Sequence, residues 1–250
     1  MADVNAAREQ NPHPRPTLLS FSGIDGAGKS TQIAALQRAL TEAGTQVLLL
    51  SFWDDVAFGT YMRSELGHHV FGGDRGVGQP DKPVNRRDKN VKRWYMTLPR
   101  LVAYSLDTIR TILAVRQARK TWAAVVIFDR YIYDELANLF PGGMLTTAWA
   151  RLLLRWTPRL DMAFLLDADP EGARARKPEY PLEFLKQNRQ SYLALAKEAG
   201  MTIVPQLSES EVSLIVMHEF RKQQPWVPIE IPAPKPRSER VRSRAAGARR

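Results

Sequence analysis

The stretch "FSGIDGAGKS", residues 21–30, places three glycines, an aspartate and a lysine directly after an apolar run. Gly23, Gly28, Lys29 and Ser30 satisfy the spacing G-x-x-x-x-G-K-[ST], with Asp25, Gly26 and Ala27 inside the loop and Thr31 after it. Such a loop curls so that successive backbone N–H groups face inward on phosphate oxygens, and the helix that follows presents its positive N-terminus to the same anion. Lys29 is then the cation for the transferring phosphate, and the Ser30 hydroxyl a ligand for Mg²⁺. The chemistry implied is capture of the polyphosphate of a nucleoside triphosphate with Mg²⁺. Lys29 is expected to stand exposed, with no core to pack against.

Two further stretches carry charge beside apolar runs. "AVVIFDRY" ends an apolar strand in Asp129, a carboxylate placed to hold Mg²⁺ directly or through water, and in Arg130, a fixed cation just past the strand's carboxyl end, where ligands of open α/β sheets bind. Asp129 and Arg130 pairing with each other or with neighbours is the structural alternative. In "DADPEGARARKPEYP", Asp169 and Pro170 read as a helix start, and Arg174, Arg176 and Lys177 crowd a short segment that Pro178 breaks. Like charges so close repel unless an anion or solvent relieves them, so the segment reads either as a lid closing over a phosphoryl group or as a solvated turn.

The elements that position these residues alternate. "TLLSFS", "TQVLLLSF", "WAAVVIFD", "DMAFLLDAD" and "MTIV" are continuous apolar runs, separated by helical patterns such as Ile33, Leu36 and Leu40 or the stretch from Phe184 to Leu195. Strands of that kind between helices predict an α/β fold: a three-layer α/β/α arrangement around a parallel sheet of five strands. The folded unit is expected over residues 17–222. Residues 1–16 and the Pro/Arg-rich tail 223–250 read as disordered. The stretch from Phe58 to Asn90 is rich in Gly, Pro and charge without a period, and reads as a long excursion, functional or merely mobile.

Composition narrows the classes. There is no cysteine, so disulfides and thiolate metal sites are excluded, and the four histidines are too scattered for a metal cluster. The N-terminus has neither a basic nor an apolar leader region, and no apolar stretch approaches the roughly 18 residues of a membrane span. A cytoplasmic protein with no membrane contact is expected. The net charge of +10 is concentrated at the end: seven basic residues against one acid, Glu239, fall in the last sixteen positions. Most of the basic character is thus tail, so the net charge argues only weakly for a nucleic-acid partner, held through that tail.

Taken together, "GIDGAGKSTQ", "DRY" at 129–131 and the lid-like "RARK" followed by "FLKQNRQSYLALA" resemble the thymidylate kinase family of P-loop nucleoside monophosphate kinases, over residues 17–207. The resemblance implies a P-loop NTPase fold with a short lid, a nucleoside monophosphate as acceptor and a possible homodimer. It implies that Asp25 lies near the acceptor's sugar, that Arg130 contacts the acceptor phosphate and that Tyr104 stacks on the base. One branch of the family carries an arginine where this chain has Gly26, and elsewhere the lid supplies that cation, which directs attention to Arg174 and Arg176. The sequence departs from the family in three places. "SFWDD" stands for R-E-P-G-G after the second strand, with Arg63 of "GTYMR" as the nearest phosphate-contacting arginine; Thr108 stands where an arginine follows the aromatic residue; and "IYDELANLF" follows "DRY". Two other readings stay open: a nucleoside or small-metabolite kinase with Asp129 as base, and a nucleotide-regulated protein that binds nucleic acid or a partner through the tail or the 58–90 excursion.

Overall fold

Five apolar runs become the strands β1 (Thr17–Ser22), β2 (Val47–Ser51), β3 (Val125–Asp129), β4 (Met162–Leu166) and β5 (Thr202–Val204) in a computed structural model that describes residues 15–56, 94–140 and 142–230. They form one parallel sheet in the order β2-β3-β1-β4-β5. The order is set by register: Thr17 pairs with Val125 on one side of β1 and Leu19 with Met162 on the other. All of β1 is buried, as a central parallel strand covered on both faces must be.

Because side chains alternate along a strand, β1 feeds two cores. Leu18 joins Val126, Phe128 and Leu165 on one face of the sheet. Leu19 and Phe21 join Ile127, Phe164 and Leu166 on the other, where the rings of Phe21 and Phe164 stack with centroids 5.3 Å apart. The second core is closed by α1 (Lys29–Glu42) through Ile33, Leu36 and Leu40, and by a C-terminal helix, Glu209–Gln223, through Val216, Met217 and Phe220. The first is closed by α2 (Trp94–Ala118), α3 (Ile132–Leu136), α4 (Met144–Trp156), α5 (Pro170–Arg176) and α6 (Leu182–Ala199). The C-terminal helix is α7. The result is the expected three-layer α/β/α sandwich.

The local signals for the helices are visible in the sequence. Asp169 accepts a hydrogen bond from the N–H of Gly172 at 2.8 Å and Pro170 occupies the first turn, so α5 starts where the Asp-Pro pair stands and stops ahead of Pro178. Ser208 and Glu211 form a reciprocal cap on α7, with the Ser208 N–H donating to Glu211 Oε2 at 3.1 Å.

The expected boundary at residue 222 falls short. Beyond α7, Val227 and Ile229 are 1% and 3% exposed and complete the second core, with Trp226 packed against it. Three apolar residues among prolines suffice to hold the segment, which turns back after α7 with the Val227 N–H donating to the Gln224 carbonyl at 3.2 Å, onto the α1–α7 side of the sheet. The 58–90 excursion, residues 1–14 and the tail beyond residue 230 lie outside the described residues.

Candidate phosphate-transfer site

The loop between β1 and α1 begins at Gly23, whose φ of +144° belongs to the region that side-chain-bearing residues avoid; a Cβ there would lie 2.6 Å from the Leu166 carbonyl oxygen of β4. At Gly26, with φ +82°, a Cβ would meet the Ala173 carbonyl oxygen of α5 at 2.3 Å. The basic helix therefore sits directly on the glycine-rich loop. The Arg176 Nε donates to the Gly26 carbonyl at 2.9 Å, and Arg174 lies partly buried on the same helix.

Lys29 is not exposed as expected. It is 6% exposed, and its Nζ donates to the carbonyl oxygens of Gly23 at 2.7 Å and Ile24 at 2.9 Å. The loop curls around its own lysine, whose stem packs into the turn while the ammonium satisfies carbonyls that point inward. Burial, then the nearby Arg130 charge, pushes the Lys29 pKa down to about 8, against the opposing pull of Asp134, Asp25 and Asp129. Ser30 and Thr31 stand exposed at the start of α1.

Asp129 ends β3 in register with Phe21, one residue before the end of β1, which sets it beside the mouth of the loop. The next residue, Arg130, has φ +70°, the sole positive value at a non-glycine among the described residues. Its N–H donates to the Phe21 carbonyl at 3.2 Å, continuing the ladder while the side chain turns toward the loop. The guanidinium forks onto two carboxylates: Nη2 donates to Asp25 Oδ1, and Nη1 to Asp134 Oδ1 at 3.3 Å. Burial lowers the Arg130 pKa, but Asp134 and then Asp25 outweigh it, so the group is held more firmly protonated than a free arginine.

Asp134, absent from the sequence reading of the site, is its most connected acid. It is 5% exposed and also accepts from Ser22 Oγ at 2.7 Å, from the Tyr192 hydroxyl at 2.7 Å and from the Tyr131 N–H at 3.3 Å. Burial and Asp134 together push the Tyr192 hydroxyl well above its ordinary range. A signal was present: an Asp four residues after Arg130 on a helical stretch is placed to pair with it. Arg189 was also missed. It forks onto Asp167 at 2.5 and 2.7 Å, just past the end of β4 and at the same edge of the sheet.

The structure thus gathers Asp25, Lys29, Asp129, Arg130 and the α5 arginines at the carboxyl edge of the sheet. Tyr104 lies buried on α2, where the Asn138 amide donates to its hydroxyl at 3.5 Å, and Thr108 turns its hydroxyl back to the Tyr104 carbonyl at 2.8 Å. Arg63 lies outside the described residues.

A parallel sheet of order 2-3-1-4-5, with a glycine-rich phosphate loop after β1 and a basic helix seated on it, defines a P-loop NTPase fold. Solved structures agree. A thymidylate kinase from Ehrlichia chaffeensis superposes with a TM-score of 0.53 at 18% identity, covering 82% of this chain and 98% of that one. The Candida albicans thymidylate kinase gives 0.56 at 18%, covering 84% and 93%. No family model matches the sequence. Among curated proteins, a probable thymidylate kinase of Pyrococcus abyssi is 30% identical over 222 residues, 82% of this chain and 98% of the relative. A thymidylate kinase of Bifidobacterium longum is 30% identical over 191 residues, 72% and 83% of the two chains. The chain belongs to the thymidylate kinase family and, with it, to the ATP-dependent phosphotransferases. Among the described residues no helix is long and apolar enough to cross a membrane.

Proposed function

We propose that the protein transfers the γ-phosphoryl group of ATP to a nucleoside monophosphate, with dTMP the first candidate. The observation that carries this reading is the pair of cations at one edge of the sheet: Lys29, whose Nζ lies on the Gly23 and Ile24 carbonyls of the donor loop, and Arg130 at the end of β3, whose guanidinium reaches Asp25 of the same loop. A bare hydroxyl acceptor needs no such second cation, whereas a dianionic phosphate does.

In this reading the loop N–H groups and Lys29 hold the donor phosphates, and Lys29 leaves the Gly23 and Ile24 carbonyls to meet them. Arg130 meets the acceptor phosphate, one of whose oxygens attacks the γ-phosphorus in line as the bond to the β–γ bridging oxygen breaks and ADP leaves with the electron pair. Arg174 and Arg176 supply charge from above, and Asp25 faces the acceptor sugar. Tyr104 is the candidate platform for the base.

The donors at hand suit Mg²⁺. Ser30 offers a hydroxyl and Asp129 a carboxylate, and no cage of three acids or histidines exists among the described residues, a sparse set that matches an ion which keeps water and substrate phosphates in its shell. Bound there, the ion would neutralise charge developing on the phosphates.

The test is a screen of the purified protein against nucleosides and their monophosphates, with ADP production as readout. Turnover that depends on a monophosphate is expected. Preference for the unphosphorylated nucleoside would transfer the protein to the hydroxyl-acceptor kinases, and hydrolysis indifferent to any acceptor would leave it a nucleotide-regulated binding protein.

A further inference from the structure

The fork of Arg130 is asymmetric. One arm, Nη2, rests on Asp25, a partly exposed residue of the phosphate loop, and the other, Nη1, rests on Asp134, which is buried behind it. Asp134 has no accessible lone pair to offer a substrate. Its Oδ1 accepts from Arg130 and from the Tyr192 hydroxyl, and its Oδ2 accepts from Ser22 Oγ and the Tyr131 N–H, which accounts for the roughly four acceptor sites of a carboxylate. Apart from Arg130 itself, those donors come from three places in the fold: the end of β1, the residue that caps α3 and the middle of α6. The acid therefore cannot swing, and it holds Arg130 where the backbone, at φ +70°, has already left its ordinary basins.

We propose that Asp134 is a positioning residue for the acceptor phosphate. It pins the Nη1 arm of Arg130 so that the Nη2 arm, released by Asp25, turns to the phosphate with the rest of the guanidinium already oriented. Because Tyr192 on α6 shares Oδ1 with Arg130, the same acid ties that orientation to the helix following the basic lid. The proposal rests on the reading of Arg130 as the acceptor-phosphate residue. It adds to that reading a residue that never touches substrate, and a division of labour between the two nitrogens of one side chain.

The test is a double-mutant cycle with Asp134→Asn and Arg130→Lys, read on the best monophosphate from the screen. Asp134→Asn keeps the shape of the side chain but loses the charge and presents an amide to four donors. It is expected to raise KM for the acceptor by about tenfold or more and to lower kcat, while the Kd of ATP measured without acceptor stays within about twofold. If Asp134 acts through Arg130, the double variant is little worse than Arg130→Lys alone. Tyr192→Phe, which removes one donor and keeps the ring, is expected to shift the acceptor KM in the same direction by a smaller factor. It serves as the second variant should Asp134→Asn fail to fold by circular dichroism. A folded Asp134→Asn with unchanged acceptor KM, losses that multiply in the cycle, or an ATP affinity that falls in parallel overturns the proposal. So does an unchanged acceptor KM in Tyr192→Phe where that variant stands in. These outcomes presuppose wild-type turnover of a monophosphate; a wild type that accepts only unphosphorylated nucleosides overturns the acceptor reading itself and the present proposal with it.

Discussion

Arg176 reaches the phosphate loop through one hydrogen bond, its Nε donating to the Gly26 carbonyl at 2.9 Å, from a helix whose backbone at Ala173 leaves no room for a side chain at Gly26. The basic helix and the glycine-rich loop are thus in direct contact, through one hydrogen bond and one close backbone approach.

Arg176→Ala is expected to lower kcat by about tenfold or more and to change ATP affinity much less, because a cation that acts on the transition state contributes little to ground-state binding. Arg174→Ala should show the same pattern if it shares the role. Steady-state kinetics beside ATP binding by calorimetry checks both. An effect confined to KM for ATP would make either arginine a binding residue.

Gly26→Ala tests the packing of lid on loop. The added methyl would meet a backbone oxygen rather than a flexible side chain, at a φ of +82°, so α5 must shift or the loop must distort. A loss of about 1–3 kcal/mol in unfolding free energy is expected, with a fall in kcat. Urea denaturation and kinetics on the same preparation would show whether the two losses travel together.

Lys29 makes stability depend on pH in a definite direction. Its pKa is about 8 in the folded protein and 10.5 when unperturbed, so between those values the unfolded chain keeps a proton that the folded one has shed. The unfolded state binds more protons there, and stability rises with pH across that window. Going from pH 8 to pH 9.5, wild type should gain about 1–2 kcal/mol relative to Lys29→Met, which has no proton to shed. Urea midpoints of the two proteins at both pH values give the difference; a flat difference would mean that the lysine keeps its charge in the fold.

Truncation separates the packed segment from the rest of the tail. Ending the chain after Pro225 removes Trp226 and the buried Val227 and Ile229, and should cost about 3 kcal/mol or more of stability. Ending it after Glu230 removes only the Pro/Arg-rich remainder and should leave turnover and unfolding unchanged, while abolishing any salt-sensitive affinity for nucleic acid. Equal unfolding curves for the two truncations would show that the 226–229 segment contributes nothing.

The strands, their parallel arrangement and the helix starts at Lys29 and Pro170 were legible because each rests on local pattern: an apolar run, a glycine-rich turn, an Asp-Pro pair. The phosphate loop was legible for the same reason. What could not be read was the posture of charged side chains across elements. That Lys29 would bury itself on carbonyls of its own loop depends on how tightly the glycines close, and that Asp134 would collect Ser22 and Tyr192 depends on contacts 112 and 58 residues away in the chain. Val227 and Ile229 were hidden by their prolines, which signal an extended chain but say nothing about whether it lies on a core.

Phe21 on β1 and Arg130, the residue just past the end of the neighbouring β3, are joined by the Arg130 N–H and the Phe21 carbonyl, so the loop that would hold the donor and the arginine that would hold the acceptor grow from the same end of one strand pair. Adjacent strands keep a spacing of about 4.8 Å wherever a sheet is intact. The spacing between the roots of the loop and of the arginine is therefore that of a strand pair in the middle of the sheet, and it does not depend on where α5 lies.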